Sequence, residues 1–288
     1  MSAARSDEPL PRLPRRKADT NKGNFGSVLL VGGSLGMAGS ISLSGMAALR
    51  TGAGLVRVAT SKSAQSIVAG FEPSYMTIAL PEDSDGRIAG AARQLMVDTA
   101  ERATVVACGP GLGQSAELAD LIAWLYQQLE KPLIVDADGL NALAERQEAL
   151  VRPGGPRILT PHPGEYARLT ESGIPKPDQR ESGARELARR AGAVVILKGH
   201  QSVITDGTRL ALNTTGNPGM ATGGTGDVLT GVVAALVAQQ LEPFDAARLA
   251  AHVHGLAGDL AAHRLGPVGI IARDLVDELP RALAQCSQ

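Results

Sequence analysis

Ser27-Val-Leu-Leu-Val-Gly-Gly-Ser-Leu-Gly-Met-Ala-Gly-Ser-Ile-Ser-Leu-Ser-Gly-Met-Ala-Ala-Leu49 is the stretch that decides the fold class. Its opening, Ser27 to Val31, is a continuous apolar run rather than an alternating one, as a strand covered on both faces requires. A glycine-rich loop from Gly32 to Ser40 follows, and Ile41 to Leu49 then reads as a helix of small and apolar residues. Leu55 to Ala59 is the next β-branched run. Strand, glycine loop, helix and strand form the unit from which parallel sheets are built. The unit recurs along the chain. Thr104 to Ala107, Leu133 to Val135, Arg157 to Leu159 and Val194 to Leu197 read as strands, and Ala116 to Leu129, Glu181 to Arg190 and Leu249 to Ala262 as helices. The expected fold is therefore α/β, a mostly parallel sheet with helices on both faces. Ser202 to Thr205 and Arg209 to Leu212, joined through Asp206-Gly207, break the rhythm as a β-hairpin.

The body shows no linker-like change of composition and no internal repeat, so a single domain is expected from Gly23 onward. Residues 1–22 are rich in Arg and Pro and lack an apolar segment, which reads as a flexible arm rather than a signal peptide or membrane anchor. A chain of 288 residues with 44% hydrophobic content can bury a large core. Only 2% of residues are aromatic and the net charge is −1, which argues against a nucleic-acid partner. The two cysteines, Cys108 and Cys286, form no paired framework, as expected of a reducing, cytoplasmic compartment. No run approaches the roughly 18 apolar residues that a membrane span needs.

The strongest chemical signal is Asn213-Thr-Thr-Gly-Asn-Pro-Gly-Met-Ala-Thr-Gly-Gly-Thr-Gly-Asp227, followed at once by the apolar helix Val228 to Ala238. Gly223, Gly224 and Gly226 let backbone N–H groups turn inward at a helix N-terminus, where the dipole also favours an anion. Asp227 at its end has two open roles, a helix cap or a base for a hydroxyl that attacks a bound phosphate. Two further glycine loops, Gly32 to Ser40 and Gly109-Pro-Gly-Leu-Gly113, follow strands and belong to the carboxyl edge of the sheet, where open α/β folds bind ligands. Neither the dinucleotide fingerprint nor a P-loop is present: Arg57 and Gln114 stand where a third glycine would be needed.

Lys198-Gly-His-Gln-Ser202 leaves the same edge, so Lys198 could meet a phosphate as a point charge or simply face solvent. Asp136, Asp138 and Asn141 end one strand, and Thr160, His162 and Glu165 the next. The carboxylates could hold Mg²⁺ through water or cap the following helices. His162 sits between two prolines, positioned for a ligand or merely exposed. His252 and His254 are two apart on a helix with no third ligand nearby, and are assigned to packing or surface. Cys108 reads as core, and no nucleophile elbow is present.

Taken in order, KGNFG at 22–26, GPGLG at 109–113, VDADGLN at 135–141, LTPHPGE at 159–165, LKG at 197–199 and NPGMATGGTGD at 217–227 resemble the NAD(P)H-hydrate dehydratase family of the ribokinase-like superfamily. The resemblance covers nearly the whole chain beyond the arm. It implies dehydration of the S epimer of hydrated NADH or NADPH (NADHX or NADPHX), with ADP as phosphoryl donor, Mg²⁺ as cofactor and a homo-oligomer, often a tetramer. Carried over by position, Lys198, Gly199, His200, Gln201, Ser202 and Gly226 are implied nucleotide contacts. Gly111, His162 and Asp227 are implied substrate contacts, with Ser40 a further substrate-side position. The implied mechanism makes Asp227 the base and the Thr225 and Gly226 amides the phosphoryl cradle. No resident metal ligand is expected. Because little chain precedes the match, the epimerase of fused relatives is expected on a separate chain. A small-molecule kinase on the same fold is the alternative.

Overall fold

The apolar runs become strands of one sheet in the computed structural model, which describes residues 9–286. In chain order come β1 (Ser27–Val31), α1 (Ala38–Arg50), β2 (Leu55–Ser61), α2 (Lys62–Phe71), β3 (Met76–Leu80) and α3 (Arg93–Ala100). There follow β4 (Val105–Cys108), α4 (Ala116–Gln128), β5 (Leu133–Val135), α5 (Ala137–Ala144), α6 (Gln147–Leu150) and β6 (Arg157–Leu159). The next elements are α7 (Pro163–Thr170), α8 (Arg180–Ala191), β7 (Val194–Leu197), β8 (Val203–Thr205) and β9 (Leu210–Leu212). Three helices close the described chain: α9 (Thr225–Ala238), α10 (Pro243–Leu265) and α11 (Ala272–Cys286).

The sheet order is β3-β2-β1-β4-β5-β6-β7-β8-β9. Strands β1 to β7 pair in parallel, and β8 and β9 run antiparallel at one end, as the hairpin reading anticipates. One strand, β3, was not expected. It lies at the other edge with Met76 exposed and only Leu80 fully buried, so it lacks the continuous apolar run of its neighbours.

Alternate side chains of the strands feed two apolar layers. Val28, Leu30, Val58, Ala107 and Ile196 face the layer containing α1, α9, α10 and α11. Leu29, Val31, Val106, Leu133 and Leu197 face the layer containing α4, α5 and α8. In α9 every residue from Val228 to Ala238 is buried, as a helix apolar on all sides must be. A Cβ added at Gly231 would stand 2.1 Å from the Ser44 carbonyl oxygen, so α9 and α1 meet backbone to backbone there.

Residues 1–8 of the expected arm lie outside the described residues. Residues 9–21 form no helix or strand and are tied to the body: Arg16 stacks over Phe25 at 3.7 Å and donates to the Gly52 carbonyl at 2.6 Å.

Parallel pairing has a functional consequence, because every such strand ends at the same edge. The loops after β1, β4, β5, β6 and β7 therefore meet, and backbone bonds fasten them: Gly33 N–H to Pro110 O at 2.9 Å, Asp136 N–H to Cys108 O at 3.0 Å and Lys198 N–H to Pro161 O at 2.9 Å.

Candidate active site

The Thr222–Asp227 turn sits at the head of α9, with Gly224 as N-cap at φ 88°. Only glycine fits there, since a Cβ would meet Leu43 Cδ1 at 2.7 Å and Ala272 Cβ at 3.1 Å. The Thr225 hydroxyl donates to the carbonyls of Met220 at 3.1 Å and Thr222 at 3.2 Å, drawing the turn closed. Upstream, Asp259 of α10 accepts from the Gly216 N–H and the Asn217 amide, each at 2.9 Å. The first-turn amides of α9 are thus left without intrahelical partners and face the loop edge, as an anion site requires.

Asp227 does not cap the helix; the capping residue is Gly224, with no side chain to do so. Ser40, in the first turn of α1, instead adjoins the Asp227 carboxyl and favours the ionised form. Burial, and next the neighbouring Asp136 carboxylate, lift the Asp227 carboxyl from 3.8 to about 6, against the opposing pull of Ser40 and Lys198. Gly111 lies beside this pair: a Cβ on it would stand 2.6 Å from the Met37 carbonyl and 3.1 Å from Ser40 Cβ. Ser40, Gly111 and Asp227, taken from three separate segments, come together.

A second group adjoins them. Lys198 Nζ donates to Asp136 Oδ1 at 2.7 Å and lies 3.7 Å from Glu165 Oε2. The other Asp136 oxygen accepts from Thr230 Oγ1 of α9 at 2.7 Å. Burial opposes both charges, but Lys198 and the threonine hydroxyls hold Asp136 below the usual carboxylate range, and Asp136 and Glu165 hold Lys198 above its own. Lys198 is thereby a fixed ammonium, 3.3 Å from where a Cβ on Gly226 would be. The solvent-facing reading of this lysine is set aside.

His162 and Glu165 form a reciprocal cap on α7. The His162 Nδ1 accepts from the Gly164 N–H at 2.9 Å, and Glu165 Oε2 accepts from the His162 N–H at 2.7 Å. Accepting at Nδ1 leaves the hydrogen on Nε2. Burial, then Lys198 and Arg168, keep the ring below its ordinary value, so it is neutral, with its Nε2–H beside Glu165 Oε1 at 3.3 Å. Asp138 clamps the glycine loop after β4 by accepting from the Gly113 N–H at 2.9 Å. Among the described residues no three His, Cys, Asp or Glu side chains converge to hold a metal ion. Cys108 is core, its thiol pushed up to about 12 by burial.

Gly199, His200 and Gln201 are exposed, and Ser202 donates back to the Gly199 carbonyl at 3.1 Å. Of that loop, Lys198 is the member that reaches the turn. The loop takes its shape from Arg180 of α8, whose guanidinium donates to the carbonyls of Leu197 at 3.1 Å, Lys198 at 3.3 Å and His200. Sequence reasoning missed Arg180, Thr230, Asp259 and Ser44, whose hydroxyl donates to the Asp227 backbone carbonyl at 2.7 Å, all of them on helices with no motif of their own. It also assigned His254 to packing or surface, whereas its Nε2 lies 2.8 Å from the Thr225 carbonyl oxygen.

An anion turn beside a carboxylate and a fixed ammonium, at the carboxyl edge of this sheet, defines a ribokinase-like α/β protein. A crystal structure of a ribokinase-like superfamily protein from Enterococcus faecalis V583 matches with a TM-score of 0.81 at 28% identity, over 96% of this chain and 93% of that one. Within that class the chain belongs to the NAD(P)H-hydrate dehydratase family, whose profile matches residues 28–281. The ADP/ATP-dependent NAD(P)H-hydrate dehydratase of Bacillus subtilis, co-crystallised with ATP and Mg²⁺, is similar at 30% identity and a TM-score of 0.82, covering 95% of this chain and 94% of that one. A bifunctional NAD(P)H-hydrate repair enzyme of Moorella thermoacetica is 45% identical over 275 residues, which are 94% of this chain and 52% of the relative. The chain thus spans about half the length of the curated relatives it matches. The fold and family expected from the motifs are both borne out. No helix among the described residues is long and apolar enough to cross a membrane.

Proposed function

We propose that this protein dehydrates the S epimer of NADH or NADPH hydrate back to the reduced cofactor, using ADP as phosphoryl donor and releasing AMP and phosphate. The observation that carries this reading is Asp227, a carboxyl lifted to about 6 that stands between Ser40 and the anion turn. At neutral pH it is ionised yet basic enough to take a proton from a bound hydroxyl.

In this reading Gly111, Ser40 and the His162 Nε2–H line the side that receives the hydrated nicotinamide. The Lys198 to Ser202 loop and Gly226 receive the nucleotide. Asp227 removes the proton from the C6 hydroxyl as its oxygen attacks the terminal phosphoryl of ADP, whose negative charge the Thr225 and Gly226 amides and Lys198 offset. The ring nitrogen's lone pair then expels phosphate, a far better leaving group than hydroxide, and loss of a proton from the adjacent ring carbon restores the dihydropyridine. Asp136 and Glu165 already spend their oxygens on Lys198, Thr230 and the His162 N–H, and Asp138 spends its own on the Gly113 N–H and the Asn141 amide, which leaves Asp227 as the edge carboxylate best placed to share an oxygen. One or two carboxylates beside phosphate oxygens suit Mg²⁺ carried in by the nucleotide, where it would neutralise charge on the phosphoryl group.

The test is incubation with the S hydrate, Mg²⁺ and either ADP or ATP, following the reduced-nicotinamide absorbance. Return of the absorbance with one phosphate released per cofactor is the expected result. A stable phosphorylated product with no recovery would replace the dehydratase by a small-molecule kinase.

A further inference from the structure

We propose that His254 is a positioning residue that aims the Gly226 amide at the phosphoryl group; naming that group rests on the dehydratase reading above. His254 lies in α10 between the buried residues Val253 and Gly255, and its Nε2 reaches the Thr225 carbonyl oxygen at 2.8 Å. A carbonyl only accepts, so the Nε2 carries the hydrogen and donates it. Burial, against the favourable Thr225 bond, pushes the ring down to about 4, which keeps it neutral and in this tautomer throughout the neutral range.

The peptide between Thr225 and Gly226 is planar and trans, so its C=O and N–H point in opposite directions. Drawing the Thr225 oxygen toward α10 turns the Gly226 N–H the other way. Gly226 there borders Lys198 and Asp136, with a Cβ position 3.3 Å from Lys198 Nζ and 3.8 Å from Asp136 Oδ2. As the second residue of α9, Gly226 has an N–H with no partner inside the helix. The helix gives that direction a single backbone bond, the Thr225 carbonyl accepting from the N–H one turn on, at the end of α9 where turns fray. Gly224 and Gly226 flank Thr225, and glycine restrains its neighbouring peptides least. The Thr225 hydroxyl is spent on Met220 and Thr222. His254 therefore adds a second donor that grips the same carbonyl from a separate, buried helix.

The experiment compares the wild type with His254→Leu, which fills space but donates nothing, and His254→Gln, whose amide nitrogen sits close to the position of Nε2. The Leu variant is expected to lose roughly tenfold to a hundredfold in kcat, the scale of a misaligned oxyanion donor, with KM for the hydrate changed about twofold or less. The Gln variant is expected to recover most of kcat. A second readout needs no turnover: the ¹⁵N–¹H resonance of Gly226 should shift on ADP addition in wild type and Gln but not in Leu. If the wild type returns no reduced cofactor, the dehydratase reading fails, and the Gly226 resonance alone decides the positioning role. Wild-type kcat together with an ADP-induced Gly226 shift in the Leu variant overturns the proposal. Equal loss of kcat and Tm in both variants also overturns it, reducing His254 to packing.

Discussion

Replacing Asp227 by Asn is expected to stabilise the folded protein while removing most turnover. Burial and the Asp136 carboxylate lift the Asp227 carboxyl from 3.8 to about 6 in the folded state, whereas the unfolded chain titrates near the ordinary value. A native carboxyl with a raised pKa binds its proton more tightly than the unfolded one, so ionising it disfavours folding. The penalty is absent below about pH 4, grows up to about pH 6 and is constant above that. About two pH units at about 1.4 kcal/mol each correspond to roughly 3 kcal/mol. Asp227 keeps partial solvent contact, and screening reduces the expected gain at neutral pH to roughly 1–2 kcal/mol. For a chain of this size that raises Tm by roughly 2–6 °C. Asn preserves the shape. The assay is thermal unfolding followed by circular dichroism at about pH 7.5 and again at about pH 4, where the difference should nearly vanish. In parallel, kcat should fall roughly a hundredfold to ten-thousandfold, the usual contribution of a positioned base, with ADP affinity retained. A variant no more stable than wild type at neutral pH, or equally favoured at both pH values, would refute the raised carboxyl. Full turnover would refute the base.

The acid limb of kcat should lie near the Asp227 value of about 6, and Ser40→Ala should move it to higher pH because Ser40 favours the ionised form; a pH–rate profile with an unmoved limb contradicts this. Gly231→Ala places a methyl 2.1 Å from the Ser44 carbonyl oxygen and 2.8 Å from Ala47 Cβ. Urea unfolding should show a loss of roughly 2–4 kcal/mol, since two buried helix backbones must part. A loss under about 0.5 kcal/mol would mean that α1 and α9 separate freely. Arg180→Met frees the carbonyls of Leu197, Lys198 and His200, and calorimetry should find ADP binding weakened roughly tenfold, each lost hydrogen bond to a charged group being worth about 1.5 kcal/mol or more. Unchanged ADP affinity would detach the loop's shape from nucleotide binding.

Strands β1, β5, β6 and β7 were legible from the sequence to the residue, and β4 to within one, because a short continuous apolar run bounded by glycine or proline has one way to be buried. The glycine loops at their ends, the hairpin and the Thr222–Asp227 turn were legible for the same reason: each depends on neighbours a few residues away. The helix N-terminal position of Glu165 was equally local. What the sequence did not disclose is whatever depends on distance in space. The edge strand β3 carries too little apolar signal once a single face is covered. Asp136 and Lys198 are 62 residues apart and Asp136 and Thr230 are 94 apart, so no spacing rule pairs them. The pKa of Asp227 was likewise invisible, since it follows from burial and from the Asp136 carboxylate just past the end of β5. His254, dismissed on its helix for want of a third ligand, gained its meaning only when α10 packed against α9. By itself the sequence determined which segments extend, coil or turn, and through the order of its motifs the family. Only the packed structure decided which of those segments share one edge, and hence which charges, hydroxyls and amides act on one another, because electrostatic and hydrogen-bond energies fall off with separation in space and not along the chain.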